Sequence, residues 1–502
     1  MTNKGVYRVV LLVLLVMCGV SSASPNRQQG TRSAEWPAED VLFSLPSPPK
    51  DATQSALFGA RTPVVPIELV HNYLASRKVS LDQIAQDRHP IIFVPGLGGS
   101  VLEAQLTGFD YHWSCPKHTD HYEPLWLNIP NLLFTRNCFF EELTLNYDPA
   151  ANRYSPRQGV HIRPRDFGGL DGINYLSRVL GFPIDFTSYF SHLIDALVKL
   201  GYRPGVELRG MPYDFRMPAD MVDAERSWET FARLIEDTYR QNGDRPAYLV
   251  THSMGGLKMA YLLAQMPQEW KDRYVAGLVT LSAPWLGATK GLRVVVSGDN
   301  LGAHMGDIEV LPHLDIRQTM RKSGGAVWMV PEAEAYADEI LVQTNNRTYT
   351  GAQLADLFAS LDPDTAAIYG HTRNQSIHVL GPPRVPTHCI YGTAVPTEGR
   401  LRYGDSFDQN PGLLYTTGDG TVPLKSLSYC QQWASTQTQP VTVKRWPGRS
   451  HLSILFDEQV IHEVLDVVTA PPLRPISNKL PYSSINLFLA CFPNSPIFGL
   501  AR

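Results

Sequence analysis

The sequence predicts an α/β fold, a mostly parallel β-sheet covered by helices on both faces. Three observations carry that prediction. Short, wholly apolar runs recur along the chain and lack the in–out alternation of a half-solvated sheet. Helical patterns alternate with them, as parallel strands joined by crossovers require. A strand, a tight turn and a helix meet around Thr251-His252-Ser253-Met254-Gly255.

Composition excludes several other classes. The 502 residues are 43% hydrophobic with a net charge of −4, which is too apolar and too nearly neutral for a disordered chain. With 44 Lys+Arg against 48 Asp+Glu, no cationic excess is available to neutralise nucleic-acid phosphates. Six cysteines are too sparse for a small scaffold held by disulfides.

The elements follow in order. Lys4 and Arg8 precede an uncharged apolar run over 9–20, and Ser21-Ser22-Ala23 supplies small residues for cleavage, so 1–23 reads as a signal peptide. The run is shorter than the ~20 residues a membrane span needs. Residues 24–87 are rich in Pro, Ser, Ala and Gln and read as a flexible leader. The folded domain is expected over 88–470. It begins with the buried strand Ile91-Ile92-Phe93-Val94, which runs into the glycine loop Pro95-Gly96-Leu97-Gly98-Gly99. Helices are predicted over 190–200 and 227–239. A strand at 248–250 leads through Ser253 into a helix ending near 266. Further strands are predicted at 274–281, 388–391 and 441–446. Regions 100–170 and 285–385 fit the alternation poorly. They read as insertions over the carboxyl edge of the sheet, where such folds bind ligands. Residues 471–502 form a tail.

A secretory route favours disulfides. Cys18 leaves with the signal, and five cysteines remain. Cys115–Cys138 and Cys389–Cys430 are the economical pairings because each closes one local loop, although sequence alone leaves connectivity open. Cys491 would then be free or intermolecular. Asn346-Arg347-Thr348 and Asn374-Gln375-Ser376 are glycosylation sequons compatible with the same compartment.

The chemistry centres on Ser253. A sharp strand-to-helix turn lifts a serine hydroxyl clear of the sheet, and small flanking residues let the helix pack closely. Thr251 stands where glycine is usual in this motif. The backbone N–H of Met254 and that of Leu97 in the glycine loop are the candidate oxyanion donors. In chain order the acid and then the base should follow the nucleophile. Asp419, in the turn Gly418-Asp419-Gly420, is chosen over Asp405 as the acid. His451, just beyond the last strand, is chosen over His252, His388 and His462 as the base. No cluster has metal-ligand spacing, and no metal or cofactor is called for.

With these residues in hand, the chain resembles the lecithin:cholesterol acyltransferase family from about Ile91 to about Leu465. The likeness lies in Val94-Pro95-Gly96, Trp126-Leu127, Pro212-Tyr213-Asp214-Phe215-Arg216, His252-Ser253-Met254-Gly255, Ser282-Ala283-Pro284-Trp285 and Asp419-Gly420-Thr421-Val422. The resemblance implies an α/β-hydrolase fold and a Ser253, Asp419, His451 triad with Leu97 and Met254 as oxyanion donors. It also implies the disulfides Cys115–Cys138 and Cys389–Cys430. It makes 100–170 a membrane-binding subdomain with Trp126 in contact with lipid, and 285–385 a cap with a lid at about 286–330. Leu97 stands where the lysosomal branch carries an acidic residue, and Phe215 where relatives often carry Trp.

The function so implied is transfer of an acyl group from a glycerophospholipid, through an acyl-enzyme, to water or to a lipid hydroxyl such as sterol. The partner would be a phospholipid membrane or lipoprotein-like surface. The protein would be secreted, or lumenal in an endolysosomal or vacuolar compartment. Aromatic and aliphatic residues near the first cysteine pair (Trp113, Tyr122, Leu125, Trp126, Ile129, Leu132, Leu133, Phe134) suit a lipid interface or a packed cap equally. The alternatives are a neutral-lipid lipase and a catalytically silent lipid binder on the same fold.

Overall fold

Six strands build the central sheet of the computed structural model: β1 (Ile91–Val94), β2 (Leu208–Gly210), β3 (Ala247–His252), β4 (Val275–Leu281), β5 (Thr387–Thr393) and β6 (Val441–Pro447). The structure describes residues 65–469 apart from 180–181, 184–186, 222–227, 300–303, 306–307 and 310–311. The expected signal peptide, the leader before residue 65 and the tail lie outside the described residues.

The strands lie in the order β6-β5-β4-β3-β1-β2, and every neighbouring pair is parallel. β1, β3 and β4 are buried at every residue, which explains their unbroken runs in the sequence. Their side chains alternate between two cores. Ile92, Val94, Leu249 and Leu278 face one, and Ile91, Phe93, Tyr248, Val250 and Val279 face the other. β6 forms the edge and is half-exposed.

Helices cover both faces: α1 (Ile67–Arg77), α2 (Leu81–Asp87), α3 (Ser191–Lys199), α4 (Trp228–Gln241), α5 (Met254–Gln265) and α6 (Glu458–Thr469). Phe231 and Ile235 of α4 join Leu257 and Leu262 of α5 in the first core. Leu193 and Leu197 of α3 join Ile461, Val464 and Leu465 of α6 in the second.

The expected leader extends too far into the fold. From Val65 onward the chain is part of it. Leu69, Val70 and Tyr73 bury a narrow stripe of α1 in the second core. Tyr73 shares a hydrogen bond with Thr469 at 2.9 Å, and Arg77 pairs with Asp466, so α1 is tied to α6. Ser80 and Gln83 cap the start of α2 reciprocally. His462, half-buried on α6, meets the carbonyl of Leu69 at 3.2 Å.

The first insertion is an antiparallel sheet with Leu102–Leu106 between Glu123–Trp126 and Val160–Pro164. Cys115–Cys138 ties its long loop to the helix Arg136–Leu143. Apolar residues there divide sharply. Leu125, Trp126 and Leu132 are core, whereas Trp113 is 86% and Phe134 55% exposed. The second insertion is itself packed, with Leu292, Ile316, Trp328, Leu357 and Ile368 buried. Asn346 lies exposed between the strands Ile340–Gln343 and Thr348–Thr350, and Asn374 lies exposed on the helix Pro363–Leu380. Cys389–Cys430 spans the Asp419 turn. Among the described residues no helix is long and apolar enough to cross a membrane.

Glu142, beside this first disulfide, carries a consequence for stability. Burial, aided by the charge of Glu123, pushes its carboxyl up to about 7. The folded state therefore holds this proton more tightly than the unfolded chain. The associated stability is fully present at acid pH and is lost as pH rises through about 7, a change of about 3 kcal/mol. Glu142→Gln mimics the protonated form. In urea unfolding it should be the more stable protein at pH 8 and converge with wild type at pH 4.5. An equal difference at both pH values would refute this assignment.

Candidate active site

The strand order reverses between β1 and β3, and the crevice at their carboxyl ends is where an α/β sheet presents ligand sites. The loop after β1 and the turn after β3 meet there. Ser253 holds φ 53° and ψ −128°, a left-handed conformation that costs about 1–3 kcal/mol and must be imposed by its surroundings. The surroundings are tight. A Cβ on Gly255 would lie 2.4 Å from the carbonyl of Val94, and one on Gly256 would lie 2.7 Å from Ala283 Cβ. Thr251 fits in place of glycine because its hydroxyl turns away to donate to the Val279 carbonyl at 3.2 Å.

The structure brings Ser253, His451 and Asp419 together. Ser253 Oγ lies 3.0 Å from His451 Nε2, and His451 Nδ1 lies 2.7 Å from Asp419 Oδ2. The His451 amide also donates to the Asp419 carbonyl at 2.8 Å, locking the two loops together. Asp419 is fully buried, and its Oδ1 accepts from the amides of Thr421 and Val422 at 3.0 and 2.7 Å. Burial alone would raise its pKa, but His451 and these two amides outweigh it and hold the carboxyl below the usual aspartate range. The carboxylate therefore stays ionised and fixes the proton of the imidazole on Nδ1. Asp405 lies apart, bonded to Asn345 at 2.8 Å, and His388 bonds Thr442 on the sheet edge.

Met254 opens α5, so its N–H belongs to the first turn, which has no intrahelical acceptor. The glycine loop after β1 closes over the serine, because a Cβ on Gly96 would come within 2.7 Å of Ser253 Cβ. Three aromatic side chains brace that loop. Tyr189 Oη accepts from Gly96 N–H at 2.9 Å, Tyr213 Oη donates to the Pro95 carbonyl at 2.8 Å, and Trp126 Nε1 donates to the Gly98 carbonyl at 2.8 Å.

Trp126 is thus not the surface lipid contact expected from sequence. It is only 5% exposed and packs against Phe139 and Phe215. Its strand pairs Trp126 with Leu102, carrying the ring inward, where the glycine loop satisfies its N–H. The exposed aromatics of this insertion are Tyr111, Trp113 and Phe134.

Two residues beside the serine escaped the sequence reading. His252 is passed over there in favour of His451 as the base, and Tyr189 is not among the candidates. They bond each other beneath the site, and His252 reaches the His451 carbonyl at 2.8 Å. A histidine next to the nucleophile was the one available signal.

Comparison with known proteins extends the geometry. The family profile described as lecithin:cholesterol acyltransferase matches residues 121–380 and 370–458. Lysosomal phospholipase A and acyltransferase of Bos taurus is 32% identical over 77% of this chain and 93% of its own length. The Rattus norvegicus protein of the same name is 33% identical over 77% and 92%. Phosphatidylcholine-sterol acyltransferase of Homo sapiens is 28% identical over 84% and 94%. The likeness therefore runs through both insertions as well as the sheet, and this chain belongs to the lecithin:cholesterol acyltransferase family.

Proposed function

We propose that this protein is a serine-dependent acyltransferase and phospholipase A acting on glycerophospholipids. The observation that carries the reading is the hydrogen-bonded Ser253–His451–Asp419 chain beneath a braced glycine loop, in a chain of this family.

Ser253 Oγ attacks the ester carbonyl carbon while its proton passes to His451 Nε2. The resulting imidazolium is stabilised by ionised Asp419, which does not take the proton. The amides of Leu97 and Met254 donate to the tetrahedral oxyanion, and the positive end of α5 adds to their effect. Collapse expels the lysophospholipid alkoxide, which recovers the proton from His451 and leaves an acyl-enzyme. Water or a lipid hydroxyl then attacks the acyl-enzyme by the same steps, returning Ser253. Product analysis from radiolabelled phosphatidylcholine, with and without sterol, tests this reading. Lysophospholipid together with free fatty acid or sterol ester is expected. Fatty acid from triacylglycerol with phosphatidylcholine untouched would sink it in favour of a neutral-lipid lipase.

The residues at 100–170 form the membrane-binding part and those at 285–385 the cap over the acyl chains. Exposed Trp113 and Tyr111 support the first assignment, since an aromatic body with a polar edge suits the water–lipid boundary, and exposed Phe134 adds apolar area in the same insertion. Trp113→Ser should weaken binding to phosphatidylcholine vesicles by about tenfold, the order expected for losing one buried aromatic. Hydrolysis of a soluble p-nitrophenyl ester should stay within twofold of wild type. Unchanged vesicle sedimentation would remove Trp113 from the contact. The two disulfides fit the oxidising secretory pathway, with a lysosome-like lumen or the cell exterior as the destination. Asn346 and Asn374 are its exposed glycan sites.

A further inference from the structure

Beneath the reacting atoms lies a second chain of hydrogen bonds that the acyl-transfer steps do not use. Gly96 N–H, a donor only, meets Tyr189 Oη at 2.9 Å. Tyr189 Oη therefore accepts there, and its own proton points to His252 Nδ1, 2.5 Å away. That makes Nδ1 an acceptor and places the ring proton on Nε2, which donates to the His451 carbonyl at 2.8 Å. Every group in the sequence has one direction, running from the glycine loop to the backbone of the base. Both side chains are buried, at 4% and 1% exposure. Burial first, and the neighbouring His451 second, push the pKa of His252 down to about 3. It stays neutral, as its acceptor role toward Tyr189 requires.

The packing repeats the connection. A Cβ on Gly99 would fall 2.6 Å from Tyr189 Cζ, so the glycine loop rests directly on this ring. The His252 ring lies 5.4 Å from the Tyr189 ring and 4.9 Å from the His451 ring. Ser253 follows His252 in the chain, so the same residue adjoins the nucleophile, the oxyanion loop and the base.

We propose that Tyr189 and His252 are positioning residues, a relay that fixes the oxyanion loop and the His451 loop at a set separation on either side of Ser253. It rests on the reading of Ser253, His451 and Leu97 given above, and adds to it the device that holds them. Neither side chain touches substrate. Both act on the distance between the oxyanion donors and the nucleophile–base pair, to which the transition state is far more sensitive than substrate binding.

The test uses the full chain with Tyr189→Phe, His252→Phe and the double variant. Each is assayed on phosphatidylcholine in mixed micelles and by its rate of inactivation with a fluorophosphonate. Each single variant should lower kcat and the inactivation rate by about 10–100-fold, with KM within about twofold, the pattern of a misplaced rather than an unbound transition state. Because the two act as one unit, the double variant should be no slower than the slower single. His252→Gln, which offers an N–H at the Nε2 position, should recover part of the loss relative to His252→Phe. Values of kcat within threefold of wild type, a loss carried in KM, or losses that multiply in the double variant would overturn the relay. If His252→Phe does not fold, Tyr189→Phe, which deletes one oxygen, decides by the same kcat-against-KM split. A wild type that neither labels nor cleaves phosphatidylcholine overturns the acyl-transfer reading itself. A wild type that does both, beside unimpaired variants, overturns the relay alone.

Discussion

Ser253→Ala should lower kcat for phosphatidylcholine cleavage by about a millionfold, the scale on which loss of a triad nucleophile acts. The removed atom is the one that bonds to the acyl carbon, and among the described residues no other hydroxyl is shown at hydrogen-bond distance from His451 Nε2. Alanine meets the same backbone constraint at φ 53° and adds no bulk, so the fold should survive with little change in melting temperature. Residual turnover would come from the glycine loop and α5 polarising a bound ester for attack by water. A variant that keeps even one part in a hundred of wild-type activity, with its fluorophosphonate adduct intact, would show that another residue is the nucleophile.

Asp419→Asn should cost about ten-thousandfold in kcat while leaving substrate binding nearly unchanged. The carboxylate makes three bonds, one to His451 and two to the amides of Thr421 and Val422. An asparagine can keep either the two amide donors or the imidazole, but it cannot stabilise the imidazolium that forms during attack. If its amide nitrogen faces His451, the imidazole proton moves to Nε2 and blocks acceptance of the Ser253 proton. The variant should therefore fold, bind vesicles and label very slowly. Normal kcat with raised KM would contradict the assignment, because it would mean that Asp419 serves binding rather than the base.

How much of this site was legible in the sequence varies by element, for physical reasons. β1, β3 and β4 are covered on both faces, so their burial is written as runs of apolar residues. Asp419 could be read from its flanking glycines. A Cβ on Gly418 would meet the Val422 carbonyl at 2.2 Å, and Gly420 takes φ +88°, so the turn demands those residues. α1 was missed because only Leu69, Val70 and Tyr73 mark its buried stripe, and their partners lie on α6 nearly four hundred residues later. Trp126 was misplaced because an amphipathic ring suits a lipid surface and a core equally. What settles it is the Gly98 carbonyl, supplied by a different loop. Tyr189 and His252 were invisible as a pair because their outer partners are backbone groups, Gly96 N–H and the His451 carbonyl, which carry no residue signature.

The most direct measurement is intact-protein and peptide mass spectrometry after rapid mixing with phosphatidylcholine of a single acyl type, quenched before turnover is complete. The expected spectrum shows one acyl group added to the peptide carrying Ser253, with an equal amount of lysophospholipid released, and neither product from Ser253→Ala. Lysophospholipid released without any acylated peptide, and at an undiminished rate from Ser253→Ala, would contradict the acyl-enzyme and with it the role of the Ser253–His451–Asp419 chain.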